Sequence, residues 1–261
     1  MLTAEQYKLK VNSCFLIHQD NPWDKRSMNK NVSEILEIEG GGKDLESLLD
    51  TYKDYCVQKS TDISITRVDS EDREKRELLV KNEFQMTEMS YRISCRRDQI
   101  NNAGSLQGEF TTECDTQELF SLANNMFSHG RFTEDPMIDN DISNIRYRYW
   151  ISDMLEGPCN RIFMKKKGVL VGFMFYEQEK NEVSLKLGGV DSRFVHLVPR
   201  FWSHVLSSFD KGTTINTVIS ATNTPVLNLY IHFGFRVCQA LVGYHKHYKG
   251  RWHEKKPISN S

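Results

Sequence analysis

The sequence lacks the features by which membrane, secreted and nucleic-acid-binding proteins are recognised. Its longest apolar run, from Val169 to Tyr176, is interrupted by Gly172 and is far shorter than the roughly 20 residues that a membrane-spanning helix needs. The first residues carry no basic segment followed by an apolar core, so no secretory signal is predicted. The formal net charge of −1 leaves no basic excess for nucleic acid. We expect a soluble, cytoplasmic protein that neither spans a membrane nor binds nucleic acid.

Cysteines are few, and no two of them form a C-x-x-C pair. The six are spread singly along the chain, at Cys14, Cys56, Cys95, Cys114, Cys159 and Cys238. This spacing favours reduced thiols over a disulfide framework or a zinc site. His245 and His247 alternate along a predicted strand, a spacing that metal sites use, but the sequence offers no third ligand beside them. We therefore expect no metal cofactor.

A regular alternation of strand and helix patterns predicts an α/β protein. At 261 residues, of which 39% are hydrophobic, the chain is long enough for one or two domains. In the C-terminal part a first strand and two helices precede the order hairpin, strand, helix, strand, helix, strand. The predicted strands are 106–112, 161–164, 169–176, 182–190, 213–220 and 235–244, and the predicted helices are 116–127, 143–155, 199–209 and 224–233.

Residues 1–100 have the pattern of a second, smaller α/β unit. The predicted strands are 14–17, 32–38, 63–68 and 84–93, and the predicted helices are 44–58 and 70–81. Residues 96–105 are polar and predict a linker, so we expect an N-terminal domain at 1–100, a second domain at 101–250 and a polar tail at 251–261. Both domains end in a helix followed by a strand. This indicates either a weak internal repeat or only the usual way in which α/β units end.

The most informative segment is the helix predicted from Thr224 onward. Thr224 can cap its N-terminus, Pro225 suits its first turn, and Gly234 can end it in the left-handed conformation. Asn223 and Tyr230 then lie along one face of the helix. The alternative interpretation is an ordinary amphipathic helix with a buried tyrosine whose hydroxyl finds a backbone partner.

Asn223, Tyr230 seven residues later and a Gly-Phe pair before a strand together resemble the last helix and strand of the GNAT superfamily of acyl-CoA-dependent N-acetyltransferases. The resemblance implies an α/β GNAT fold in the C-terminal part, with a mixed central sheet and splayed strands. The smaller N-terminal α/β unit would then be a degenerate GNAT half. The resemblance further implies acetyl-CoA as co-substrate, Asn223 as a contact of the pantetheine arm and Tyr230 as the acid that protonates the departing thiolate.

The same resemblance implies where acetyl-CoA binds. The splayed strands would be 185–190 and 216–220, with the pyrophosphate at the helix that begins at Pro199. The implied cofactor-binding residues are Leu187, Gly188, Gly189, Val190, Phe194, Val195, His196, Leu197, Val198, Arg200, Asn223, Leu227 and Tyr230. The loop keeps the family's arginine as Arg193 but lacks both of its glycines. Because backbone amides make the contacts, we expect retained CoA binding, with Arg193 and Arg200 adding charge. The alternative is a GNAT-like binding module that has lost CoA chemistry.

Acetyl transfer needs a polarised thioester, an unprotonated amine and an acid for the thiolate. By resemblance, a backbone N–H near Gly189 or Val190 would polarise the carbonyl. No base stands out in the sequence. Asp191, His196 and a chain of water molecules are the alternatives.

A dense run of aromatic residues and arginines precedes the predicted strands of this site. The loop His129-Gly130-Arg131-Phe132 and the helix Tyr147-Arg148-Tyr149-Trp150-Ile151 resemble the TDP-fucosamine N-acetyltransferase branch, as does Trp23-Asp24. This resemblance implies that the acceptor is a nucleotide-linked amino sugar for surface polysaccharide synthesis, held by His129, Arg131 and Tyr147. Another small amine, an antibiotic or a protein N-terminus is the alternative acceptor, and a homodimer stays open.

Overall fold

The computed structural model describes residues 4–101, 108–124 and 126–248. Over these residues the chain is a mixed α/β protein, as predicted. The predicted polar tail and residues 102–105 of the predicted linker lie outside the described residues. In the described ranges, no helix combines the length and the apolar character needed to cross a membrane.

The chain forms two compact units, and their division differs from the boundary at residue 100 that the sequence predicts. The larger unit holds residues 88–242, and the smaller unit holds the residues up to Thr87 together with those from Gly243 onward. Strand pairing explains the difference. The strand Gln85–Arg96 pairs antiparallel with Thr214–Ser220, so most of it belongs with the C-terminal fold although it precedes the predicted linker.

The smaller unit begins with a strand and a short helix that the sequence patterns did not predict. Its elements are β1 (Gln6–Val11), β2 (Cys14–Asp20), α1 (Pro22–Met28), β3 (Val32–Glu39), α2 (Gly42–Gln58), β4 (Ile63–Asp69) and α3 (Arg73–Lys81), followed by the first residues of β5 (Gln85–Arg96). The strands lie in the order β1-β2-β3-β4, and β3 runs parallel to β4. Helix α1 starts where it does because the Asn21 side chain accepts the Asp24 N–H at 3.1 Å and Pro22 suits a first turn.

The larger unit has the predicted order of hairpin, strand, helix, strand, helix, strand. Its elements after β5 are β6 (Glu109–Thr111), α4 (Thr116–Ala123), α5 (Asn140–Glu156), β7 (Asn160–Lys166), β8 (Val169–Glu179), β9 (Glu182–Val190), α6 (Val198–Ser207), β10 (Thr214–Ser220), α7 (Thr224–His232) and β11 (Arg236–His247), whose last residues belong to the smaller unit. The strand order is β5-β10-β9-β8-β7-β6. A 3₁₀ helix, Ser192–Leu197, connects β9 to α6.

Two apolar clusters cover the two faces of this sheet. On one face, Phe201 and Trp202 of α6 are buried with Leu185 of β9. On the other face, Phe173 of β8 packs with apolar residues of α4 and α5. Phe173 and its neighbour Met174 belong to different clusters because successive side chains of a strand point to opposite faces. Each large side chain buried in this way stabilises the fold by about 1.5–3 kcal/mol.

Candidate active site

The parallel strands β9 and β10 separate within the larger unit, as the sequence predicts. They pair over only three residue pairs, from Thr214 with Glu182 to Asn216 with Ser184. One step further, the Thr217 hydroxyl donates to the Leu185 carbonyl oxygen at 3.1 Å. Beyond that point β9 continues to pair with β8 up to Val190, whereas its other edge diverges from β10. We call this gap the β9–β10 opening.

The hydrogen bonds of β9 show which of its backbone groups face the opening. The Asp191 N–H donates to the Val171 carbonyl oxygen of β8 at 2.9 Å. Because the N–H groups of alternate residues in a strand point to the same neighbour, the Gly189 N–H also faces β8. The N–H groups of Gly188 and Val190 then point toward the opening. Of the two amides that the sequence analysis offers for the thioester carbonyl, Val190 has the suitable direction.

Gly188 and Gly189 of β9 lie where neighbouring atoms of the larger unit leave no room for a side chain. A Cβ atom at Gly188 would lie 2.9 Å from the Phe173 carbonyl oxygen, which belongs to the backbone of β8. A Cβ atom at Gly189 would lie 2.2 Å from Met126 Sδ. The Met126 side chain therefore lies against β9. The segment from Met126 to His129 thus has its first residue beside this strand.

The predicted phosphate loop is a 3₁₀ helix that continues into α6. Val198 rather than Pro199 is the first residue of α6, and Pro199 stands in its first turn. No side chain caps the N-terminus of α6, the Val198 N–H donates to the Val195 carbonyl oxygen, and Pro199 has no N–H. An anion at this helix start would therefore be attracted chiefly by the positive end of the helix dipole. Phe194 is half-buried against the core, whereas Val195, His196 and Arg200 are exposed around this helix start.

Two charged side chains near this helix start have roles that the sequence analysis did not predict. The Arg193 guanidinium binds the Asp191 carboxylate, with Nη2 lying 2.6 Å from Oδ2, so it is not free to extend toward a phosphate. This hydrogen bond lowers the pKa of Asp191, which makes that carboxylate a weak candidate base. Lys166, the last residue of β7, is exposed and places Nζ 4.8 Å from the centre of the Phe194 ring.

Helix α7 contains the residues that carry the family resemblance. Its N-cap is Asn223, not Thr224 as predicted, and the Asn223 side chain makes no capping hydrogen bond. Gly234 ends the helix at a φ of 96°, in the left-handed region as predicted. Asn223 and Leu227 are half-buried, and Leu227 packs against the apolar cluster that contains Trp202.

Tyr230 is almost fully buried, with 2% of its surface exposed. Its ring meets the Trp202 ring edge to face at 6.2 Å and the Phe235 ring at 4.9 Å. Burial raises the pKa of Tyr230 well above that of a free phenol. The hydroxyl is therefore protonated at neutral pH, as an acid must be.

The predicted acceptor residues come together between α5 and the loop before it. The Tyr147 hydroxyl donates to the His129 carbonyl oxygen at 3.2 Å. The Arg131 and Arg146 guanidinium groups lie 5.1 and 4.4 Å from the centre of the buried Phe132 ring. Both guanidinium groups therefore make cation–π contacts with this ring.

A polar cluster next to His129 was missed by the sequence analysis. The hydroxyls of Ser220 and Thr222 each donate to Glu134 Oε1 at 2.7 Å. His129 Nδ1 lies 3.0 Å from Thr222 Oγ1. Glu134 and Ser220 are 86 residues apart in the sequence, and no local pattern relates them. The cluster lies at the end of β10, where the β9–β10 opening begins to widen.

The smaller unit also has two parallel strands beside a helix N-terminus. In this unit, however, a carboxylate side chain of the protein lies at the helix start, where an anion would otherwise bind. Strands β3 and β4 are parallel, and the glycine run Gly40-Gly41-Gly42 leads into α2. The Glu74 carboxylate accepts the Gly42 N–H, and a Cβ atom at Gly41 would lie 2.8 Å from Glu74 Oε2. A negative charge of the protein itself therefore stands at the start of α2. The larger unit is the better candidate for CoA.

Comparisons with known proteins agree with the predicted fold. No protein-family model matches the chain. The chain is 25% identical over 138 residues to the spore coat polysaccharide biosynthesis protein SpsD of Bacillus subtilis (strain 168), and this match covers 50% of the chain and 47% of SpsD. The matched part thus spans about half the length of that relative.

Two solved structures resemble the chain over both units. The GCN5-related N-acetyltransferase from Sphaerobacter thermophilus has a TM-score of 0.63 at 12% identity, covering 90% of this chain and 76% of that one. A tandem GNAT protein from the clavulanic acid biosynthesis pathway has a TM-score of 0.58 at 7% identity, covering 90% and 78%. The chain therefore has the GNAT fold, with a second α/β unit as in a tandem GNAT protein.

Proposed function

We propose that the protein transfers an acetyl group from acetyl-CoA to a primary amine, and that the reaction takes place in the β9–β10 opening. The separation of these two parallel strands is the observation that carries the proposal, because it exposes backbone groups of β9 beside the N-terminus of α6. The pyrophosphate would lie at this helix start, and the pantetheine arm would run along β9 toward Gly188 and Val190.

The chemistry follows from groups on both sides of the opening. The Val190 N–H would hydrogen-bond to the thioester oxygen and stabilise the negative charge that develops there. The amine nitrogen forms a bond to the carbonyl carbon, and the carbon–sulfur bond then breaks. Tyr230 would give its proton to the departing thiolate, and the proton that the new amide nitrogen loses would restore the Tyr230 hydroxyl through solvent.

The acceptor that we propose is a nucleotide-linked amino sugar used in surface polysaccharide synthesis. The name of the matched Bacillus subtilis protein supports this class of pathway. His129, Arg131 and Tyr147 form a wall of polar and aromatic groups that suits phosphates and a sugar. Because this chemistry uses acetyl-CoA and nucleotide sugars, we place it in the cytoplasm.

Two measurements test the proposal. Calorimetry with acetyl-CoA should show binding to the wild-type protein. An assay of released CoA thiol, run with TDP-linked and UDP-linked amino sugars and with free amines, should show turnover that is fastest with the nucleotide-linked acceptors. Turnover of free amines at equal rates would favour a small-amine acetyltransferase instead.

A GNAT-like binding module without CoA chemistry is the second candidate. The observation that favours it is the 3₁₀ helix Ser192–Leu197, which stands where the family has a glycine-containing phosphate loop. In that case calorimetry would detect no binding of acetyl-CoA or CoA.

A further inference from the structure

The segment from Met126 to Glu134 contacts both of the strands that separate. At one end Met126 lies against Gly189 of β9. At the other end Glu134 accepts the Ser220 hydroxyl at the end of β10. His129 lies between these two contacts in the sequence and is half-buried, so part of it is accessible.

Three donors converge on one oxygen of Glu134. Besides the Ser220 and Thr222 hydroxyls at 2.7 Å, the Gly130 N–H donates to Oε1 at 3.0 Å. Three donors on one carboxylate oxygen stabilise the ionised form, so Glu134 acts as an acceptor in each of these bonds.

The hydrogen bonds of Thr222 bear on the tautomer of His129. Thr222 Oγ1 lies within hydrogen-bond distance of Glu134 Oε1, Ser220 Oγ and His129 Nδ1. When the Thr222 hydroxyl gives its hydrogen to Glu134, its oxygen presents a lone pair to the ring, and Nδ1, 3.0 Å away, carries the imidazole hydrogen. In that arrangement Nε2 has the lone pair. A chain of a carboxylate, a hydroxyl and an imidazole thus ends in a basic nitrogen.

We propose that His129 is the general base of the acetyl transfer, held by Thr222 and Glu134 as positioning residues. This inference rests on the proposed acetyltransferase function. In the step we assign to it, the ammonium form of the acceptor gives one proton to His129 Nε2, and the N–H bond breaks as the new bond to Nε2 forms. The freed lone pair then attacks the thioester carbonyl. The imidazolium is stabilised through Thr222 by the negative charge of Glu134.

The surroundings of His129 fit this role. Glu134 from its own loop and Tyr147 from α5 are the titratable groups with hydrogen bonds to His129 or to its hydroxyl partner in the described residues. Arg131 follows two residues later, and its guanidinium lies over Phe132. Ser220 and Thr222 add only neutral hydroxyls. Glu134 is therefore the charged group at the far end of this hydrogen-bonded chain.

Kinetics of three variants test the role of His129. His129→Gln should lower kcat about 10²-fold or more and remove the acidic limb of the kcat/KM profile, while leaving the Kd of acetyl-CoA unchanged. Thr222→Val and Glu134→Gln should lower kcat less, because each removes a hydrogen bond that holds the His129 ring in place. Thr224→Val, an exposed position two residues from Thr222, is the matched control and should behave like the wild type.

Nitrogen-15 NMR of the imidazole gives a readout that does not depend on turnover. The wild type should show the tautomer protonated at Nδ1, and Thr222→Val should lose this preference. A wild-type ring protonated at Nε2 would overturn the inference, as would a His129→Gln variant that keeps both its rate and its acidic limb. A wild type that binds no acetyl-CoA would remove the proposed function itself. Active wild type with an unaffected His129→Gln variant would remove only the assignment of the base.

Discussion

Arg193 binds the carboxylate of Asp191, two residues before it, through both Nε and Nη2. The Asp191 side chain also accepts the Arg193 N–H at 2.9 Å and so caps the 3₁₀ helix that leads to α6. The one arginine that matches the family's phosphate loop is therefore used to shape the loop. In the proposed site, phosphate binding would depend on the helix dipole at the start of α6 and on neighbouring cations.

The ion pair makes the stability of this loop depend on pH in a defined direction. The folded-state pKa of Asp191 is lowered, chiefly by the hydrogen bond from Arg193, so its contribution is present above the unfolded pKa of about 3.9. It is lost as the pH falls through the folded-state value. Asp191→Asn keeps a capping oxygen but removes the charge. Thermal unfolding should give it a lower Tm than the wild type at pH 7, with the difference shrinking below about pH 4. A constant difference over that range would contradict the assignment.

The start of α6 should be sensitive to negative charge if it holds the pyrophosphate. Val198→Glu places a carboxylate at the first residue of the helix, where its negative charge would repel the pyrophosphate and compete with it for the positive end of the helix dipole. We expect the Kd of acetyl-CoA to rise on the order of tenfold. Calorimetry measures this, with Val198→Gln as a neutral control of similar size. Equal affinities of the two variants for acetyl-CoA would show that the pyrophosphate does not bind at the start of α6.

Tyr230→Phe separates catalysis from packing at α7. The phenylalanine ring preserves the edge-to-face contacts with Trp202 and Phe235 and removes only the hydroxyl. We expect kcat to fall about 10²-fold or more while the Kd of acetyl-CoA stays the same, because the hydroxyl acts only as the thiolate forms. Tyr176→Phe, at a half-buried tyrosine that packs against the same core cluster, is the control. If both variants turn over at the wild-type rate, Tyr230 has only a packing role.

Arg131→Ala tests the proposed acceptor wall. Its guanidinium lies over Phe132, and a guanidinium can contact a phosphate through two parallel hydrogen bonds. The KM of a nucleotide-linked acceptor should rise by roughly tenfold, on the scale of one charge-assisted hydrogen bond, with acetyl-CoA affinity unchanged. Arg148→Ala is the matched control, because that guanidinium lies over Phe120 at the α4 side of α5. A similar loss in both variants would indicate a general change in α5 instead.

Lys166 tests whether a cation missed by the sequence analysis supports the phosphate site. Its ammonium lies beside Phe194, near the start of α6. Lys166→Ala should weaken acetyl-CoA binding several-fold, more strongly at low salt, because an exposed charge is screened by ions. Lys167→Ala, in the adjoining turn, should leave the affinity unchanged. Equal effects at both lysines would indicate only long-range attraction by positive charge.

Much of the fold followed from local patterns in the sequence. Pro225 and Gly234 bracket α7 because their backbone preferences act over a few residues, and apolar alternation predicted β9 because a strand buries every second side chain. The separation of β9 from β10 was also expected, through the resemblance carried by Asn223 and Tyr230. These features depend on neighbours along the chain or on a motif within one short segment.

Tertiary structure alone decided the features that depend on distant residues. The pairing of β5 with β10 sets the division of the units, and the hydrogen bonds from Ser220 and Thr222 to Glu134 join segments that no periodicity relates. Similarly, only the folded chain shows that Arg193 binds Asp191 and that the Val190 N–H faces the opening. Local propensity specifies which elements form. The pairing of strand edges and the convergence of polar groups across the sheet are set by packing between segments far apart in sequence.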